Sequence, residues 1–556
     1  MTQSTSRREL LRLAAAFPAI MKAAPRAPRP NIVVILADDM GFSDIGCFGS
    51  EIPTPNLDRL AARGIRFTHF SNTARCSPTR ASLLTGLYPH QAGMGHLDNM
   101  VKPGSRGYQG RLSEESATIA EVLRPAGYRT IMTGKWHLGQ QHGTPPWQRG
   151  FERSLNSQAG GIYFPGQVGR KNQPLYLNGR AIPLDSPELG NSWYSSDLWT
   201  KFGLNFIDEA VKEKKPFFHY LAFCAPHFPL MAPQADIDRF RGKYMAGWDR
   251  LREERYRRQI RMGLIDRRWP LTERPPDSPA WDSLDAKEKD RYDHMMAIYA
   301  AMVHRIDVNV GVLVEGLSRR GVLDDTLILF LSDNGGNAES GPSGRYTGNP
   351  PGGPDSNVFL GMNWATLNNT PFRRYKHFTH EGGISTPLVA HWPRGIAREL
   401  GGTFERTPGH VIDIMPTAVE LAGAEYPARL HGASILPMEG VSLAPAFAGG
   451  SLTRRQPLFY NHEGNRGIRA GKWKLVAKHA DPWELYDMEA DRTEMNNLAA
   501  ARPDLARRLA DDYDAWAGRT FAEPWEGPRR TDWGQEPPPE ETAAQKKGGR
   551  KKAKKN

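Results

Sequence analysis

Asn31-Ile-Val-Val-Ile-Leu-Ala37 carries no charge, is built of β-branched and aliphatic side chains, and stops at Asp38-Asp39. A strand that is apolar at every position, rather than at alternate ones, must be covered on both faces. This run therefore commits the chain to a layered fold around a buried sheet. Similar runs recur at 129–133, 216–223, 326–331 and 386–392. Between them lie stretches with helical spacing, at 56–63, 118–125, 204–214, 292–317 and 410–422. Strands that alternate with helices predict an α/β fold with helices on both faces of the sheet.

The texture changes after about residue 453. Short strand patterns at 457–461, 467–470, 473–476 and 484–487, punctuated by Gly, Asn and Asp, precede a helical pattern at 503–517. They predict a small antiparallel sheet with one packed helix. The stretches 139–200 and 335–370 read as long irregular loops, a length that usually serves function. The expected organisation is a leader over 1–30, a main α/β domain over 31–453, a small α+β unit over 454–535 and a tail over 536–556. No internal repeats are present.

Across 556 residues, 39% are hydrophobic and 24% charged, enough apolar material for a large core and too much for wholesale disorder. Three cysteines, Cys47, Cys76 and Cys224, exclude a disulfide scaffold and a multi-cysteine zinc module. No unbroken apolar run approaches the roughly eighteen residues of a spanning helix, so a soluble protein without a transmembrane segment is expected. The net charge of +12 looks like a nucleic-acid signal until it is located. Residues 1–30 supply +5 and residues 541–556 supply +6, which leaves +1 for the body. A near-neutral body does not track a phosphate backbone, so no nucleic-acid partner is expected.

The two ends differ. Ser6-Arg7-Arg8-Glu9-Leu10-Leu11, followed by a short apolar stretch at 13–21, resembles a bacterial twin-arginine export signal. It implies a periplasmic or secreted protein; without a working leader the chain would stay in the cytoplasm. The Lys-rich run at 546–555 reads as a solvated tail behind a Pro-rich spacer.

Chemistry gathers where the apolar strands stop. The first ends in Asp38-Asp39 and the run at 326–331 ends in Ser332-Asp333-Asn334-Gly335-Gly336. Open α/β sheets bind ligands at the carboxyl ends of their strands. Three carboxylates and one amide are oxygen donors, suited to a hard divalent cation such as Ca²⁺ or Mg²⁺ rather than to zinc. One Asp-rich strand end is often only a turn or a cap; two that end alike argue against that reading. Cys76-Ser77-Pro78-Thr79-Arg80 precedes a short helical pattern started by the proline. Cys76 then lies near a helix N-terminus, which favours anions, with Arg80 one turn on. Cys47 and Cys224 read as small buried hydrophobes. His90, His96 and His304 read as structural, Asp307 as a local polar contact, and Trp193 and Trp364 as packing. There is no Walker A, G-x-S-x-G or H-E-x-x-H motif.

Cys76-Ser-Pro-Thr-Arg80-Ala-Ser-Leu-Leu-Thr85-Gly86 resembles the signature of the type I, formylglycine-dependent sulfatases, arylsulfatase-like members of the alkaline phosphatase superfamily. The likeness continues in order through Leu36-Ala-Asp-Asp-Met-Gly41, Gly134-Lys-Trp-His-Leu-Gly139, Ala225-Pro-His-Phe-Pro229, Ser332-Asp-Asn-Gly335, and Tyr375-Lys376 with Glu381-Gly-Gly-Ile384. Gly467-Ile-Arg-Ala-Gly-Lys-Trp-Lys-Leu475 and Glu484-Leu-Tyr-Asp487 resemble the family's small domain. The resemblance implies a large mixed, mostly parallel sheet flanked by helices, with the small antiparallel unit attached.

It also implies roles. Asp38, Asp39, Asp333 and Asn334 match the calcium ligands, with residue 76 completing the set. Cys76 matches the cysteine that a formylglycine-generating enzyme oxidises to formylglycine. The hydrated gem-diol would attack sulfur and leave a sulfated intermediate, and its second hydroxyl would then release sulfate. Arg80 and Lys135 resemble the residues that hold the formylglycine hydroxyls, and His137 the base for sulfate elimination. His227 with Lys376 resembles the leaving-group acid, and Asp333 would also orient the attacking hydroxyl. The implied activity is hydrolysis of an aryl sulfate or a sulfated carbohydrate. Two alternatives stay open at this point: a formylglycine-dependent phosphonate monoester or phosphodiester hydrolase, and a non-catalytic protein that binds sulfated glycans with Cys76 unmodified.

Overall fold

The run Asn31–Ala37 (β1) is a strand with every residue buried, at the middle of a ten-stranded sheet. The other strands of this sheet, in chain order, are Ile65–Phe67 (β2), Arg129–Lys135 (β3), Arg153–Ser157 (β4), Leu175–Leu177 (β5), Arg180–Ile182 (β6), Phe217–Ala222 (β7), Thr326–Ser332 (β8), Leu388–His391 (β9) and Thr403–Glu405 (β10). Their spatial order is β10-β2-β9-β8-β1-β7-β3-β4-β5-β6. The five central strands β8, β1, β7, β3 and β4 are mutually parallel, and β9 and the β5–β6 hairpin run against their neighbours. The sheet is thus mixed and mostly parallel. The computed structural model describes residues 29–170, 172–528 and 531. Apart from Arg29 and Pro30, the expected leader lies outside the described residues, as does the Lys-rich tail.

The period-two geometry of the strands splits the core into two layers. Val33 and Ile35 point into one, with helices Pro55–Ala62 (α1), Ser195–Lys212 (α3) and Ala286–Arg319 (α5). Ile32, Val34 and Leu36 point into the other, with helices Cys76–Thr85 (α2) and Ile414–Ala422 (α6). α5 has a stretch long and apolar enough to cross a bilayer, but 67% of that stretch is buried inside the protein, the pattern of a core helix. Asp307 lies on it and accepts from the backbone N–H groups of Asn56 (3.0 Å) and Leu57 (2.8 Å), which caps the start of α1. Trp364 sits fully buried among Trp248, Trp281 and Tyr244, and Trp193 is buried too; both pack.

Several boundaries differ from the sequence reading. The stretch 139–200 is not simply irregular: it contributes β4, β5 and β6, which extend the sheet to one edge. Arg153-Ser-Leu-Asn-Ser157 lacks the apolar run that marks an interior strand, so its sequence does not announce it. α3 starts at Ser195, earlier than the spacing at 204–214 predicts. Helix Gly247–Arg261 (α4) is unanticipated because its inner face carries Arg252, Arg255 and Gln259 beside Trp248 and Leu251. Buried Arg255 reaches Asp44 at 2.8 Å and Glu51 at 2.7 Å, so ion pairs replace apolar contacts there.

The C-terminal strands are Leu458–His462 (β11), Asn465–Ala470 (β12), Trp473–Ala477 (β13) and Glu484–Asp487 (β14), paired antiparallel in that order. Helix Pro503–Arg519 (α7) covers them, with Trp516 stacked on Phe459 at 4.9 Å between centroids. A buried ionic clamp ties this unit to the main domain. Glu381 accepts from Lys474 of β13 (2.8 Å) and from Arg492 (2.8 Å), while Lys474 also reaches Glu494 (2.8 Å).

Candidate active site

Register alone brings the acidic strand ends together. β1 and β8 are parallel neighbours with Leu36 opposite Leu331 and Ala37 opposite Ser332, so Asp38 and Asp333 follow side by side. Asp39 leaves the strand with φ +66, a conformation costly for a residue with a side chain. Its N–H donates to Asp333 Oδ1 at 3.2 Å, which helps to fix that turn. On the other side, β7 carries β3 into place, and Lys135, the last residue of β3, extends its ammonium to Asp38 Oδ2 at 2.8 Å. Gly134, just before it, has φ +112, and a Cβ there would meet Ala222 O at 1.8 Å. The β3 end can approach β7 this closely only without a side chain.

Cys76 opens α2, two residues earlier than the proline-led helix of the sequence reading, and α2 is buried throughout. The Sγ faces His137 Nδ1 at 3.4 Å, and His137 Nε2 faces Asp98 Oδ1 at 3.5 Å. One turn along, Arg80 is fully buried and pairs with Asp333 Oδ2 at 2.7 Å and Asp38 Oδ1 at 3.7 Å. It also donates to the Lys135 carbonyl at 3.1 Å. Lys376 reaches both oxygens of Asp39, at 2.8 and 3.0 Å, and Glu339 at 3.2 Å. His227 Nε2 lies 3.5 Å from Asp39 Oδ2, while its Nδ1 meets the Phe228 carbonyl at 2.6 Å. Every site residue named from the sequence is therefore brought to one place, at the carboxyl ends of β1, β3, β7 and β8.

The electrostatics follow from this crowding. Burial would push the Cys76 thiol up, but Lys135, His137 and Lys376 outweigh it and hold the thiol well below its ordinary range. Burial would likewise raise Asp39, yet His227 and Lys376 keep it below the carboxylate range. Asp333 goes the other way: burial and the neighbouring Asp38 raise it to about 6 despite Arg80. Burial would lower Lys376, and the Asp39 and Glu339 carboxylates more than reverse that. Burial pulls His227 down to about 4, so its imidazole is neutral near pH 7.

Among the candidate cation ligands, Asp38 Oδ1 and Asn334 Oδ1 are buried with no hydrogen-bond partner in the described residues. An orphaned buried acceptor is costly. These two belong to the residues singled out as oxygen donors for a hard cation. Asp38, Asp39 and His227 also offer ligand atoms within 4.8 Å of one another. The residues present thus suit a divalent cation bound through oxygen.

Three contributors were not anticipated. Asn337 donates to Asp39 Oδ2 at 2.6 Å. Glu339 braces Lys376 and pairs with Arg75 at 2.7 Å and His377 at 2.8 Å. Both lie within five residues of Asn334, and that proximity was the available signal. Asp98 sits in a loop with no pattern around it. The remaining expectations concern residues outside the site. Cys47 and Cys224 are buried, and burial raises both thiols. His90 contacts the Tyr108 hydroxyl at 3.2 Å, His96 pairs with Glu463 at 2.7 Å, and His304 contacts the Pro53 carbonyl at 2.9 Å.

Known proteins share both the sequence and the fold. The Sulfatase family model matches residues 30–424, and a model described as N-sulphoglucosamine sulphohydrolase, C-terminal, matches residues 373–510. An arylsulfatase of Klebsiella aerogenes is 35% identical over 438 residues, covering 76% of this chain and 92% of its own. An uncharacterized sulfatase of Schizosaccharomyces pombe is 34% identical over 530 residues, covering 88% and 94%. Among solved structures, Ps i-CgsB in complex with k-i-k-neocarrahexaose superposes with a TM-score of 0.66 at 27% identity, over 88% of this chain and 93% of that one. With two family models, a shared fold and a converged anion-handling centre, the chain belongs to the sulfatase family and is a sulfuric ester hydrolase.

Proposed function

We propose that the protein hydrolyses sulfate esters of an aryl alcohol or a sulfated carbohydrate through formylglycine at position 76, with one Ca²⁺ (Mg²⁺ as the substitute) at Asp38, Asp39, Asp333, Asn334 and residue 76. The observation that carries this reading is the placement of Cys76 between His137, Lys135 and Lys376, beside two orphaned donor oxygens. Matured to formylglycine, the residue supplies a hydrated aldehyde with one hydroxyl to attack sulfur and another to expel sulfate. The cation supplies charge neutralisation for the sulfate oxygens.

The chain's own residues do the rest. Arg80 and Lys135 are fixed by Asp333 and Asp38, so their charges stand ready without reorganisation where residue 76 must shed a proton. His137, flanked by Cys76 and Asp98, accepts that proton. Lys376 neutralises the bound sulfate. His227 holds Nδ1 against the Phe228 carbonyl, which leaves Nε2 to hand a proton to the leaving alcohol. An anionic sulfate beside it counters the burial that keeps it neutral in the free enzyme.

The main domain over 31–453 would be catalytic, with 454–535 as its accessory unit. We place the protein in the periplasm or outside the cell, exported through the twin-arginine pattern after a formylglycine-generating enzyme has acted in the cytoplasm. The deciding experiment is the mass of the peptide containing Cys76, from protein made with the maturing enzyme, alongside turnover of aryl sulfate and aryl phosphonate esters. An aldehyde mass with sulfate preferred supports the proposal. A thiol in active protein overturns the formylglycine route, and phosphonate preference overturns the substrate assignment.

A further inference from the structure

A second cavity, of about 610 Å³, shares no lining residue with the site above and lies in the cleft between the main domain and the C-terminal sheet. Its size is that of a small-ligand site. Arg268 and Arg406 enter from the main domain, Arg469 and Lys472 from β12 and the turn after it, facing two carboxylates, Asp266 and Glu489. Arg268 is held by Asp266 at 2.7 Å and Lys472 by Asp487 at 2.7 Å. The other two guanidinium groups form no direct ion pair in the described residues. Among the described residues, neither Arg406 nor Arg469 has a carboxylate within 4.0 Å. Arg406 donates to the Gly263 carbonyl at 2.7 Å, and Arg469 only reaches the Gly471 carbonyl, with Nε at 3.5 Å.

Arg469 is 8% exposed. The carboxylate that senses Arg469 is Glu381, and Lys474 and Arg492 already occupy both of its oxygens, so an anion in the cleft would give Arg469 a direct partner. Guanidinium forks match the planar and tetrahedral oxyanions of carboxylates and sulfates better than single-point cations do. Trp269, with His69 edge-on at 6.0 Å between centroids, gives the cleft an aromatic wall. Charge on one side and an aromatic face on the other describe a site for an acidic sugar rather than for a bare ion.

We propose that this cleft is an exosite for a sulfated polysaccharide, gripping a stretch of the polymer away from the ester being cleaved, with Arg406 and Arg469 as its anion contacts. The inference rests on the sulfate-ester reading and deepens it by making the substrate a polymer. The test has two parts. Full-length Cys76→Ala protein is titrated with fluorescein-labelled dextran sulfate, alone and with Arg406→Glu, Arg406→Lys or Lys376→Ala added, against neutral dextran.

Arg406 is exposed, so its variants are expected to melt with the parent. Arg406→Glu is expected to weaken dextran sulfate binding about tenfold or more, Arg406→Lys by a smaller factor because the charge stays while the fork is lost, and Lys376→Ala by less than about threefold. In matured enzyme, Arg406→Glu raises KM for the sulfated polymer and leaves kcat/KM for an aryl sulfate unchanged. Equal binding by the parent and Arg406→Glu overturns the exosite, as does binding abolished by Lys376→Ala or equal affinity for neutral dextran. Failure of the matured enzyme to cleave aryl sulfate would overturn the ester reading instead, and the titration does not depend on it.

Discussion

At the scale of single residues, the site divides into groups positioned to meet the substrate and groups that hold those in place. Asp98 belongs to the second kind: its carboxylate faces the far nitrogen of His137 and is itself held by the Gln141 side chain and the Gly139 N–H. Asp98→Asn should lower kcat about 10- to 100-fold with KM and melting temperature little changed. A KM that moves with kcat would mean Asp98 touches substrate. Lys135→Ala removes a fully buried ammonium from Asp38 and leaves that carboxylate with Arg80 alone, 3.7 Å away. It should cost at least about a hundredfold in kcat/KM for an aryl sulfate, measured by initial rates. The residues legible in advance were those inside contiguous motifs, such as Cys76 with Arg80 or Lys135 with His137, where one short segment sets several side chains. Asp98 was not legible because its role depends on one loop meeting another, and nothing in His96-Leu-Asp-Asn-Met100 marks it.

At the scale of elements, apolarity decided what could be read. β1, β7 and β8 announce themselves because both of their faces are covered. β4 to β6 lie toward the sheet edge, mix polar with apolar residues, and pass for loop. α4 is hidden for the opposite reason: its inward face is held by buried arginines, so no apolar period survives. The ionic clamp on β13 offers an element-level test. Burial would raise Glu381, but Lys474 and Arg492 dominate and hold its carboxyl well below the ordinary range. A carboxyl held low in the folded state contributes stability that is complete above the unfolded carboxylate range and is lost as pH falls through and below it. Melting temperature should therefore drop on acidification from about pH 5 to pH 3, and Glu381→Gln should flatten that part of the curve. Near pH 7 the same substitution leaves Lys474 and Arg492 partly unpaired and should destabilise by about 3–5 kcal/mol, measured by denaturant unfolding. Identical acid profiles for the two proteins would sink the assignment.

At the scale of the whole molecule, ends and body carry separate messages. The body is almost neutral and the basic charge sits at the termini, so the anion chemistry comes from local placement rather than from a global field. A cation at the Asp38–Asn334 cluster would bind the folded chain and not the unfolded one. Chelation should then lower the melting temperature, and Ca²⁺ restored to about a hundred times its Kd should return about 2.7 kcal/mol. A melt indifferent to chelator and Ca²⁺ alike would count against a cation there. The fold class, a mostly parallel sheet with helices and a small C-terminal antiparallel sheet, was visible in the rhythm of the sequence. The lateral order of the strands was not, because pairing over hundreds of residues leaves no local trace.

That lateral order sets a clock. The strand bearing Asp38 and Asp39 sits between β7 and β8, so it cannot be enclosed until the ribosome has made the chain as far as Asp333. Cys76, 2% exposed once α2 is packed, is made long before that. At elongation speeds of about 5–20 residues per second, the interval between the two residues is roughly 10–50 s. On the proposed reading, a maturing enzyme has that window in which to reach an extended Cys76, and a molecule that closes first keeps its thiol for life. The specific activity of a preparation would then record a race between modification and translation, and slower synthesis or more maturing enzyme would raise it without any change in sequence.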